Sequence, residues 1–82
     1  MIAALLDVQY ERGLQDSRFG EQNHPNEKFY TILGEEFGEV GKAILDGDKG
    51  NLRDELVQVA AVAVAFIEML DRREEFERVG RE

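Results

Sequence analysis

Apolar residues recur along this chain at helical spacing, and the few β-branched runs outside the third helix argue against strands. Ile2, Leu5, Leu6, Gln9 and Gly13 share one face of a helix predicted over about Ile2–Leu14. An irregular stretch from Ser17 to Pro25 follows, containing Gly20, Asn23 and the only proline. Pro25 is tolerable in the first turn of the next helix, where its missing N–H is not needed. That second helix is predicted over about Asn26–Asp46 and stops at Gly47. Gly47-Asp48-Lys49-Gly50 reads as a turn, and Asn51 as the N-cap of a third helix reaching about Arg73. Glu74 to Val79 fits either a continuation or a separate short turn. The expected fold is all-α, with three main antiparallel helices in one domain over residues 1–82.

The third helix bears on assembly. From Leu56 to Leu70 it is apolar on every side apart from Gln58 and Glu68. Fifteen residues fall short of the ~20 needed to span a bilayer. A helix that is hydrophobic all round must be covered all round, which two partner helices cannot do. A second subunit is therefore expected to complete a four-helix core or larger, most simply by two-fold symmetry, with Ala60, Ala61, Ala63 and Ala65 permitting close approach.

Composition narrows the picture further. A chain of 82 residues has a marginal core of its own, and self-association is one usual remedy. The absence of cysteine removes disulfides and thiolate zinc sites and points to a reducing compartment, hence the cytoplasm. A net charge of −8 argues against nucleic-acid and anionic-membrane partners, which select basic surfaces. No targeting segment is expected, because the apolar run Ile2–Leu6 is short, lacks a basic flank and meets Asp7 at once.

The carboxylates carry the candidate chemistry. At ~100° per residue, Phe29, Ile32, Leu33, Val40 and Ala43 fall within about 60° of Glu36. Glu39 lies at the margin of that stripe and Glu35 just outside it. A solvated charge run is the ordinary reading of Glu35-Glu36-Glu39, but it fails for Glu36, which sits amid the apolar face. Gly34, Gly38 and Gly41 line the opposite face and raise the prospect of a close contact with the first helix.

On the third helix, Glu55 and Gln58 share a stripe with Leu52, Val59, Val62 and Phe66. Counted from the turn at 1.5 Å per residue, Glu39 lies ~10 Å, Glu55 ~6 Å and Gln58 ~10 Å along the axis, with Glu36 one turn further. Four oxygen-bearing side chains are thus expected to converge. Three crowded carboxylates repel unless protonated or neutralised, and a hard cation such as Mg²⁺ is the simplest neutraliser. His24 is the only histidine, which disfavours histidine-dependent metals.

Glu35-Glu36-x-x-Glu39, followed after a short turn by Arg53-Asp54-Glu55-Leu56-x-Gln58, resembles the MazG-like family of all-α nucleoside triphosphate pyrophosphohydrolases. The resemblance covers roughly Phe19 to Leu70, including Gly20-Glu21-Gln22-Asn23-His24, which is similar to the loop before the family's metal helix. It implies hydrolysis between the α- and β-phosphates, giving monophosphate and pyrophosphate, with Mg²⁺ or Mn²⁺ as cofactor.

Carried over residue by residue, the resemblance makes Glu36, Glu39 and Glu55 metal ligands and Glu35 the group polarising the water. Lys28, Lys42, Lys49 and Arg53 are the nearest cations for the polyphosphate, and Gln9, Asn23 and His24 would read base or ribose. Gln58 stands where the family carries a fourth acid, and Asp54 is positioned to compensate. That departure leaves open a non-catalytic nucleotide-binding or dimerisation module. A structural bundle whose glutamates pair with Arg53, Arg72 or Arg73 across an interface is also open.

Overall fold

The structure, a computed structural model, describes residues 1–81 and contains three α-helices and no strand among them. Glu82, the last residue of the expected domain, lies outside the described residues. Helix α1 spans Ile2–Phe19, α2 spans Asn26–Asp46 and α3 spans Lys49–Arg81. No helix among them is long and apolar enough to cross a membrane.

The first helix runs past its expected end at Leu14 to Phe19. Arg12 donates to Gln15 and Asp16, three and four residues on, which ties the last turns together. Gly20 then ends the helix at φ 71°, its N–H bonded to the Asp16 carbonyl at 2.8 Å. Pro25 lies just outside α2 as its N-cap, and its carbonyl accepts from the N–H groups of Lys28 and Phe29.

Two residues make the hairpin between α2 and α3. Gly47 adopts φ 67° and donates to Ile44, while Asp48 donates to Ala43, closing the open carbonyls of α2. The Asp48 carboxylate then accepts from the Asn51 N–H at 3.1 Å. The cap of α3 is therefore Asp48 and not Asn51, because the helix begins three residues earlier than its polar pattern indicates. At the other end α3 continues unbroken through Glu74–Val79.

Packing is centred on α3. Phe29 of α2 is 1% exposed and meets Val62, Ala65 and Met69 of α3, flanked by Ile32, Leu33 and Phe66. Its ring stacks on Phe66 at a centroid distance of 4.9 Å. Helix α1 packs on α3 but makes no close approach to α2. A Cβ at Gly34, Gly38 or Gly41 would meet nothing, so the expected contact between α1 and the glycine face of α2 is absent among the described residues.

The face expected to bury α1 is also corrected. Ile2, Leu5 and Leu6 are 57–72% exposed, and no residue of α1 is fully buried. The helix turns Val8, Glu11, Arg12 and Gln15 inward instead. Charge holds it there: Arg12 donates to Glu68 at 2.8 Å, and Arg53 to Asp7 at 2.6 Å. Burial opposes the Arg12 charge, but its hydrogen bonds to Glu68 and Asp16 outweigh this and hold its pKa above the ordinary value. Arg72 fastens the loop by donating to Asn23 and the Gln22 carbonyl and pairing with Glu21.

Candidate functional site

A cleft of about 450 Å³ opens where α1, the loop, α2 and α3 meet. Glu36 and Gln58 lie on its wall, Phe29, Ile32, Val62 and Ala65 form its apolar floor, and Arg18, Lys28 and His24 add polar groups. The composition of that lining follows from the helix stripes. Ile32 and Glu36 are one turn apart on α2, and Gln58, Val62 and Ala65 follow at helical intervals on α3.

Glu36 and Glu55 are half-buried, whereas Glu35 and Glu39 are exposed. Burial raises the Glu36 pKa above the ordinary carboxylate value, and the neighbouring charge of Glu55 raises it further. The protonated Glu36 carboxyl is also stabilised by a hydrogen bond to Glu55, with smaller contributions from the charges of Glu39 and Glu35. None of these four glutamates pairs with a lysine or arginine among the described residues. The cluster is therefore not neutralised by the fold.

The geometry is that of two carboxylates and an amide. No group of three histidine, aspartate or glutamate side chains is placed to hold a metal among the described residues. The donor chemistry of Glu36, Glu55 and Gln58 nevertheless suits a hard, oxygen-seeking cation, and Glu39 is one turn away on α2.

Other expected site residues are dispersed. His24 is half-buried with its ring tilted against Phe29 at 5.1 Å, and Lys28 lines the cleft. Asn23 is exposed and accepts from Arg72. Gln9 and Lys42 are exposed and outside the cleft lining. Arg53 and Asp54 line a neighbouring cavity of about 400 Å³ with Asp7 and Tyr10, and Glu11 and Gln58 border both spaces.

Sequence reasoning missed Glu11, Gln15, Arg18 and Phe19 as lining residues. The longer α1 and its inward polar face bring them to the cleft, and neither was read from the apolar pattern. Comparisons with protein-family models, curated proteins and solved structures find no match to this chain.

Proposed function

We propose that this protein is a Mg²⁺-dependent nucleoside triphosphate pyrophosphohydrolase, cleaving between the α- and β-phosphates to give monophosphate and pyrophosphate. One observation carries the reading: Glu36 and Glu55 meet without a cationic partner beside a cleft that also presents Lys28 and Arg18. The resemblance of the two carboxylate-bearing segments to MazG-like enzymes supports it.

Glu36, Glu39, Glu55 and Gln58 would hold Mg²⁺, or Mn²⁺ in its place. The bound cation supplies charge neutralisation on the phosphate oxygens. Lys28 and Arg18 offset the remaining phosphate charge, and the half-buried His24 ring, backed by Phe29, offers a surface to the base. Glu35 takes the proton of the water consumed in breaking the anhydride. The assembly expected from α3, a homo-oligomer (dimer or tetramer) working in the cytoplasm, belongs to the same reading.

A second reading, a nucleotide-binding module without turnover, is favoured by the neutral Gln58, which brings no charge to the Glu36–Glu55 pair. The structural reading is weakened, because Arg53, Arg72 and Arg73 already bond to Asp7, the Glu21–Asn23 loop and Asn26. A pyrophosphate-release screen over the common NTPs and dNTPs with Mg²⁺, Mn²⁺ or no metal tests the proposal. Release from at least one nucleotide that depends on the metal supports it. Nucleotide binding without release selects the binding module.

A further inference from the structure

The side of α3 turned away from the cleft carries an unpartnered face. Leu56, Val64, Ile67 and Leu70 are 50%, 37%, 56% and 40% exposed there, with half-buried Ala60 and Ala63 between them. Charges bracket this apolar centre with opposite sign. Lys49 and Arg53 stand at its N-terminal end, Asp71 and Glu74 at its C-terminal end, all four exposed. Lys49, Asp71 and Glu74 have no ion-pair partner among the described residues, while Arg53 engages Asp7 through one nitrogen.

The order of these residues is self-complementary when the helix is reversed. About a point between Ala61 and Val62, Lys49 maps onto Glu74, Arg53 onto Leu70 beside Asp71, Leu56 onto Ile67, and Ala60 onto Ala63. Two-fold symmetry generates this correspondence, since a residue facing its counterpart is faced back by the same pair. A parallel arrangement would instead set Lys49 against Lys49 and Glu74 against Glu74.

We infer that two copies of this chain pair through α3, antiparallel about a two-fold axis near Ala61–Val62. Lys49 of one protomer then faces Glu74 of the partner subunit, and the alanines let the helices approach closely at the centre. The inference rests on the homo-oligomeric part of the proposed function and specifies its interface, independently of the hydrolytic part. The clefts lie on the far side of each α3 and stay open.

The absence of cysteine makes the test direct. Leu56→Cys and Ile67→Cys chains, separately tagged and mixed under mild oxidation, are expected to form a mixed disulfide. Neither variant alone should cross-link with itself, because an offset of about 11 residues along the pair separates its two copies by ~16 Å, beyond disulfide reach. Lys49→Glu is expected to weaken the dimer at least several-fold by sedimentation, and adding Glu74→Lys to restore it. Cross-linking of either single variant with itself, or a dimer in which the mixture does not cross-link, overturns this interface and leaves self-association standing. A well-folded monomer at tens of micromolar overturns both and assigns the face to a different partner. Pyrophosphate release, read on the same samples, reports separately on the hydrolytic reading.

Discussion

Glu55 of α3 reaches across the hairpin to the carboxyl of Glu36 on α2, and together with burial it makes Glu36 reluctant to ionise. Burial is the larger cause, and the Glu55 charge and hydrogen bond follow. A carboxyl whose folded pKa is raised favours the folded state below its unfolded pKa and loses that advantage as pH rises through the folded value. Without metal, the melting temperature is therefore expected to fall as pH climbs from the ordinary carboxylate range through the raised Glu36 pKa. Glu36→Gln should flatten that slope and raise the melting temperature at neutral pH. Thermal unfolding across pH 4 to about pH 8 checks this; a variant less stable at neutral pH would indicate a structural ion pair.

Metal should act on the same pair. Saturating Mg²⁺ at about 100 times its Kd is expected to stabilise the native protein by about 2.7 kcal/mol. Glu36→Gln and Glu55→Gln should lose most of that gain, and each should lower kcat/KM by at least ~10–100-fold, the loss typical of disturbing even a metal's outer contacts. Calorimetric titration and turnover measurements read the two effects.

Gln58 separates enzyme from binder. Gln58→Asp adds charge beside Glu36 and should tighten Mg²⁺ binding while preserving or raising turnover. Asp54 is exposed in the neighbouring cavity, so Asp54→Asn should change turnover by less than about two-fold if only cleft groups matter. A large loss in Asp54→Asn, rescued by Gln58→Asp, would place Asp54 in the metal site instead. If neither the native protein nor Gln58→Asp releases pyrophosphate while nucleotide still binds, the binding module is the correct reading.

Phosphate charge should be met at the cleft and not along the outer face of α2. Lys28→Ala and Arg18→Ala are each expected to raise KM for a nucleoside triphosphate by about ten-fold or more, the scale of one lost charged hydrogen bond. Lys42→Ala, outside the cleft lining, should leave KM unchanged.

The three helices and the apolar placement of Glu36 were legible because both depend on spacing within one helix. Phe29 shows the strength of that signal: it lies on the predicted α2 stripe about Glu36 and is the most buried aromatic residue of the core. The end of α1 was not legible, since Asp16, Ser17 and Arg18 look like loop residues until Arg12 is seen bonding along the helix. Arg18 and Glu11 could not be assigned to the cleft for a related reason. Their positions depend on α1 docking through Arg12–Glu68 with its apolar side outward, a tertiary choice that inverts the face its hydrophobic residues indicate. Asp48 was obscured because one residue serves two helices at once, its backbone N–H closing α2 and its carboxylate capping α3.

That double duty has a consequence for the order in which the molecule assembles. The α2–α3 hairpin closes over only Gly47 and Asp48, so the entropy lost in bringing its arms together is small. Helix α1 must instead find α3 across a long separation in sequence, as Arg12 finds Glu68. Contacts between near neighbours form fastest. Glu36 and Glu55 should accordingly meet in an early hairpin, while the pocket around them is still a bare ledge, and α1 arrives last as its wall. A chain caught between those two moments would possess the acidic pair but no enclosed volume in which to use it.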